Sequence, residues 1–370
     1  MFPSLTVVVP GSLDTRTGGY EYDRRMVAGL RARGWRIDVQ ELDSSFPRPT
    51  VGALAQAARV LAAIPDHATV LIDGLALGAM PAEVEHEASR LRIVALVHLP
   101  LAAEVGLDRE TAAALEASER RALAASAHVV VTGRQTVEAL AAYGVGFDRM
   151  TLVEPGTNRA PLSRGSTGAP LELLCVATLN AGKGHEILIG ALASIRERNW
   201  HLTCAGSLER DPATAERVRA SVRREGLEDC VSLAGELGAE SLEACYDRAD
   251  VFVLATLHET YGMSVAEALA HGLPVVSTST GAIPGLVSDG AAVNAVNNVA
   301  CLAGVIVPPA DQQALADALS LVLGDAGVRE KLAGGARRVR ERLPTWEDAS
   351  GKMSAALGRI VPATEWPLSG

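Results

Sequence analysis

The chain reads as an α/β protein made of two doubly wound halves, each a parallel sheet covered by helices on both faces. Three observations predict this. Short β-branched strands alternate with amphipathic helices along most of the chain. The alternation pauses once, at the Pro-, Gly- and Ser-rich stretch 158–170, NRAPLSRGSTGAP, and then restarts. The length of 370 residues and the 48% hydrophobic content are enough for two cores of ordinary size.

In the first half, Leu5–Val9 is the opening strand and ends in Pro10-Gly11. A loop carrying Gly18-Gly19 leads to a helix over Tyr20–Arg33, with Met26, Val27 and Leu30 on one face. Gly34 stops it, and Trp35–Leu42 alternates as a strand should. Val70–Asp73, Ile93–His98 and His128–Thr132 are further strands, and Arg109–Ala125 and Arg134–Tyr143 are helices. In the second half the strands are Leu171–Ala177, His201–Ala205, Val231–Ala234, Val251–Ala255 and Pro274–Thr278. The helices are Ile187–Arg196, Thr214–Glu225, Ser241–Arg248 and Ser264–His271. Trp346–Leu357 is a last helix. The expected domains are 1–162, 163–345 and a helix and tail at 346–370 that returns to the first domain. Ligands of such sheets bind beyond the carboxyl ends of the strands, in a cleft between the halves.

The net charge of −10 argues against a nucleic-acid partner. Five scattered cysteines (175, 204, 230, 245, 301) form no C-x-x-C pair and no metal spacing, as expected of reduced thiols in the cytosol. The opening MFPSLTVVVPG lacks the basic and long apolar regions of a signal peptide. No apolar run is long enough for a membrane span. Only three lysines occur (183, 331, 352), the other 31 of the 34 cations being arginine. Arg24, Arg25, Arg31, Arg33 and Arg36 cluster around the first helix and could dock on anionic lipid, but a solvated helix face is the preferred reading.

Two stretches carry chemistry. The first is HETYGMSVAEAL at 258–269, after the strand Val251–Leu254. Gly262 marks a turn and Ser264 opens a helix, so backbone N–H groups of Gly262, Met263 and Ser264 are available to a phosphate. Glu267, about one turn inside, suits the paired hydroxyls of a ribose, and Glu259 can reach a second sugar. Polyol, diphosphate, polyol is the layout of a nucleotide-sugar. The blander reading is a capping box with an exposed acid. The second stretch is VATLNAGKG at 176–184. Lys183 stands between two glycines where an ammonium can neutralise a diphosphate oxygen. It is not a Walker A loop, since Ala177 replaces the first glycine and Gly184 follows the lysine. No D-x-D motif or zincin spacing is present, so no metal is expected.

Together these stretches resemble the family-4 retaining glycosyltransferases. The likeness rests on the Glu259–Glu267 pair, the G-x-P-V strand Gly272–Val275, the turn Gly281–Pro284, the Val307-Pro308-Pro309 segment, the Lys183-Gly184 pair and Gly18-Gly19. It implies a GT-B fold, with the acceptor held mainly by the first domain and the donor by the second. It also implies that Lys183 holds the diphosphate and Glu267 the ribose, while Glu259 contacts the donor sugar. Gly19 would allow close backbone approach, and His98 would lie near the donor sugar unless it is simply a satisfied core histidine. Thr178 stands where relatives often carry a second cation, and Gly285 where they carry an acid. The stretch 291–303 is longer than usual and Asn-rich. The activity implied is retaining transfer by front-face attack, without cofactor or metal, from a nucleotide-sugar to a small-molecule, glycan or lipid-linked acceptor. A non-catalytic sugar-binding module, a nucleotide-sugar epimerase and a sugar phosphorylase are the alternatives.

Overall fold

The computed structural model describes residues 3–166, 168, 170–288 and 303–360. All but the last residue of the Asn-rich stretch 291–303 and all of the tail 361–370 lie outside the described residues, as does Cys301. The chain divides into two compact units, Met1–Gly156 with Pro344–Gly370, and Thr157–Leu343.

The first unit contains six parallel strands: β1 (Ser4–Pro10), β2 (Arg36–Leu42), β3 (Thr69–Asp73), β4 (Arg92–Val97), β5 (His128–Val131) and β6 (Met150–Leu152). Their order is β2-β1-β3-β4-β5-β6. The side-chain period of two sorts each strand between two cores. Leu5, Val7 and Val9 face Met26 and Leu30 of the helix Gly18–Ala32, while Val8 and Ile72 face Leu61 and Leu77. The glycine pair expected in a loop instead forms the first turn of that helix, because Thr17 caps it by accepting the Tyr20 N–H. The helix Val51–Ala62 and strand β6 are absent from the predicted alternation. The helix buries Ala53, Ala57 and Leu61, spaced four apart on one face.

The helix Trp346–Gly358 belongs to this unit. Its Ala349, Met353 and Leu357 complete the core under Gly18–Ala32. Trp35 Nε1–H donates to Ser354 Oγ at 2.9 Å, and Arg33 donates to the Glu347 carbonyl at 2.7 Å. Thr345 and Asp348 close a capping box at its start. The arginine cluster is engaged within the same unit. Arg24 and Arg25 pair with Glu21 at 2.6 and 2.7 Å, Arg31 donates to the Ile37 carbonyl, and Arg25 lies over the Trp346 ring. Among the described residues no helix is long and apolar enough to cross a membrane.

The second unit contains β7 (Leu171–Val176), β8 (Trp200–Ala205), β9 (Val231–Gly235), β10 (Val251–Leu254), β11 (Val275–Thr278) and β12 (Gly304–Val307), all parallel, in the order β12-β11-β10-β7-β8-β9. One continuous core runs from Leu173 and Phe252 to Leu315, Leu332 and Val339. Strand β12 and the helices Gln312–Gly324 and Ala326–Arg340 extend the predicted set. The second unit begins at Thr157, ahead of the 162/163 boundary read from composition. The residues ahead of that boundary are tied to the second unit: Arg340 donates to the Ala160 carbonyl at 2.7 Å, and Arg159 lies 3.3 Å from Glu341.

Candidate active site

In each sheet the strand order reverses at one place, and ligand sites of open α/β sheets form there, past the carboxyl ends of the strands. In the second unit the reversal lies between β7 and β10, which pair Leu173 with Val251. The loops leaving these two strands are the two stretches singled out in the sequence. The Gly182 carbonyl joins them, accepting from Leu257 N–H at 2.8 Å and Thr256 Oγ1–H at 3.1 Å. Gly184, with φ +65°, brings the lysine loop against β10, and a Cβ there would overlap the Ala255 carbonyl oxygen.

Across this junction Lys183 Nζ lies 2.6 Å from Glu259 Oε2. Both side chains are partly exposed, at 25% and 18%. Gly281 supports the acid from below: its φ is +54°, and a Cβ would overlap the Glu259 carbonyl oxygen. The helix Met263–Ala270 starts just beyond, with Gly262 in the left-handed region as its cap and no side chain capping the first N–H groups. Met263 and Ser264 are half-buried. Glu267 sits one turn in and accepts the Tyr246 hydroxyl on Oε2 at 3.0 Å. Tyr246 is buried and stacks on the His271 ring at 4.6 Å. Burial first, then the Glu267 charge, push its phenol well above 10, which keeps it a donor. Thr178, just past β7, is half-buried and puts no cation into the site. Gly206 N–H donates to the Gly235 carbonyl at 2.8 Å, which sets the loops after β8 and β9 side by side.

Beneath the lysine loop, Cys175 of β7, Cys204 of β8 and His185 each place one donor atom within 4.8 Å of the others. The two cysteines are direct neighbours in the strand register. Cys175 is the more acidic, held down first by the hydrogen bond with Cys204 and then by His185. The sequence shows no ligand spacing here, because parallel pairing brings together residues 29 apart in the chain.

In the first unit the reversal lies between β1 and β3. Gly19 opens the helix after β1, and a Cβ there would come 3.5 Å from His98 Cδ2. His98 follows β4, and its Nε2 lies 3.1 Å from Asp23 Oδ1 and 3.6 Å from Asp73 Oδ2. Gly19 and His98 are therefore brought together. Lys183, Glu259, Gly262, Met263, Ser264 and Glu267 gather in the other unit. Asp23, Asp73 and Tyr246 escaped the sequence reading. One signal was available for Asp23, an aspartate on the apolar face formed by Met26, Val27 and Leu30.

Residues 170–325, all within the second unit, match the family described as Glycosyl transferases group 1. The second unit is thus similar to a group 1 glycosyltransferase domain. The D-inositol 3-phosphate glycosyltransferase of Xylanimonas cellulosilytica is 30% identical over 252 residues, covering 64% of this chain and 57% of that protein. The enzyme of the same name from Corynebacterium diphtheriae is 28% identical, over 62% and 55%. The match thus spans little more than half the length of these curated relatives. The fold resembles that of sucrose-phosphate synthase from Thermosynechococcus elongatus, with a TM-score of 0.79 and 20% identity over 97% of this chain and 99% of that one. It also resembles the Anabaena protein HepE solved with UDP and glucose, with a TM-score of 0.75 and 16% identity over 96% and 99%. At such identities the likeness concerns the fold, and the two α/β units are those of the GT-B class. The matched stretch holds the lysine, both glutamates and the helix start.

Proposed function

We propose that the protein is a retaining glycosyltransferase that moves a sugar from a nucleoside diphosphate to a hydroxyl acceptor by front-face attack. One observation carries this reading. At the β7/β10 reversal, Lys183 meets Glu259 at 2.6 Å beside an uncapped helix start, with Glu267 one turn inside. That set offers a cation and backbone donors to a diphosphate, flanked by one carboxylate for each polyol. The group 1 match over 170–325 supports it, and so does the likeness to HepE, solved with UDP and glucose and with UDP-glucose.

In the proposed reaction the bond from the anomeric carbon to the diphosphate oxygen breaks. The acceptor oxygen bonds to the same face, and its proton passes to the departing phosphate. The products are a glycoside of retained configuration and a nucleoside diphosphate. The protein works by positioning and by stabilising charge on the leaving group, without a metal. Lys183 exchanges Glu259 for the diphosphate, which frees Glu259 for the sugar. Tyr246 holds the Glu267 carboxylate for the ribose, and the loops at Gly206–Ser207 and Gly235–Leu237 read the base. The acceptor is a hydroxyl of a small molecule, glycan or lipid carrier, and the protein acts in the cytosol.

Calorimetric titration with UDP, GDP, ADP and dTDP tests the donor site. Saturable binding of one nucleotide, abolished in Glu267→Ala, is the expected result, and no binding of any of them overturns the assignment. With the donor known, NMR of the product distinguishes retention from inversion, and inversion would refute front-face attack.

A further inference from the structure

The first unit holds three titratable side chains, from three separate elements, at its own strand reversal. Asp23 lies on the buried face of the helix Gly18–Ala32, and Asp73 ends β3 and accepts the Leu75 N–H on Oδ1 at 2.8 Å. Both are almost fully buried, whereas the His98 side chain remains 22% exposed. Asp23 Oδ1 receives His98 Nε2, and Asp23 Oδ2 is buried with no hydrogen-bond partner. Four uncharged residues among those described also lie at His98. Tyr22 packs edge-on at 5.2 Å, its hydroxyl donating elsewhere, to the Val153 carbonyl. Gly19 lies at the Cδ2 edge. Thr132 and Thr136 reach only the His98 carbonyl, at 3.5 and 3.4 Å.

We infer that Asp23 and Asp73 are positioning residues that hold His98 as an imidazolium, with Nε2–H committed to Asp23 and Nδ1–H left to donate to an anionic or hydroxyl oxygen of the ligand. The charge balance requires a shared proton. Two carboxylates this close and this dry do not both ionise. A proton on Asp73 leaves one negative charge to face one imidazolium, and Asp73 is within side-chain hydrogen-bond reach of Asp23. The titration tendencies agree. Burial and then the Asp23 charge raise Asp73 to about 7. Burial alone would lower His98, but the Asp23 charge and its hydrogen bond outweigh it and raise His98 above 6.5. A charged donor prefers phosphate or carboxylate oxygens and holds a sugar hydroxyl less strongly.

The state of the ring depends on the first unit alone, while the identity of its ligand rests on the transferase reading. The test is NMR titration of the histidine side chains in the full-length protein, with His98 assigned through His98→Gln. The expected midpoint lies above 6.5 in the native protein. It falls by at least about one unit, a tenfold change in proton affinity, in Asp23→Asn, and by less in Asp73→Asn. A native midpoint at or below 6.5 overturns the inference whether or not the variants fold, and so does an unchanged midpoint in folded Asp23→Asn. A His98 signal that moves on adding EDTA shows a cation in place of the shared proton and also overturns it. The expected titration in a protein that binds no nucleotide would sustain the inference and sink the transferase reading.

Discussion

The two strand reversals are built from the same topology and filled with opposite chemistry. The one between β7 and β10 carries an ammonium, a carboxylate and an uncapped helix start, all partly exposed. The one between β1 and β3 carries two buried acids and one histidine. The first suits a ligand that brings its own negative charge. The second also pairs a cation with carboxylate, but it buries the acids and offers one edge of one ring. A shared scaffold therefore fixes where a site forms and says little about what it binds.

The comparison breaks most visibly at Lys183. Lys183→Ala removes the cation from the second unit's reversal and is expected to lower turnover by ~10²–10³, the usual cost of one charge contact to a developing anion. Near-normal turnover would show that the pair at 2.6 Å is an ordinary ion pair. Next in size is Met353→Ala, in the helix Trp346–Gly358. A fully buried methionine truncated to alanine costs ~2–5 kcal/mol. Scanning calorimetry should show this loss in the unfolding of the first unit, with the second unit little changed. An equal shift of both units would mean that they unfold as one.

Tyr246→Phe is smaller. It removes one donor from Glu267 without altering the ring stack on His271, and a hydrogen bond to a charged group is worth ~1.5–3 kcal/mol. Nucleotide affinity should drop by roughly ten- to a hundredfold by calorimetry. Unchanged affinity would remove Glu267 from the ribose site.

The smallest effect concerns pH. Burial raises the Glu119 carboxyl to about 7 against the opposing Leu101 N–H, which donates to Oε2 at 3.0 Å. Because the folded value exceeds the ordinary 4.5, this stability is fully present below about 4.5 and is lost as pH rises through about 7. Denaturant titrations of Glu119→Gln should show a flatter decline than the native chain over that window. Parallel curves would place Glu119 in contact with water.

The difference between the reversals also explains how much could be read in advance. The second unit's site lies in two short stretches, 176–184 and 258–269, each directly after an apolar strand. Glycine, lysine and glutamate therefore stand at fixed offsets and their setting is local. The first unit's site draws on residues 23, 73 and 98, which meet only once β1, β3 and β4 are side by side. Composition around Asp73 signals nothing beyond a strand end. Long apolar strands were equally legible, whereas β6 is three residues long and half-buried throughout. The helix Val51–Ala62 buries two alanines and one leucine, and such small side chains draw less notice than the large apolar residues of the helix Gly18–Ala32.

The return of Trp346–Gly358 to the first unit has a consequence for the order of events at the ribosome. Domains usually fold as they emerge, N-terminal first. Here the chain up to Gly156 leaves the exit tunnel with Tyr22 and Met26 lacking the neighbours that Trp346 and Met353 later supply. The whole second unit is made in the interval. The nascent first unit must wait with an apolar groove beside Gly29, where only a small residue lets Ser350 approach. A chain stalled or cleaved before residue 346 would keep that groove open, and chaperones and proteases should treat it as unfinished.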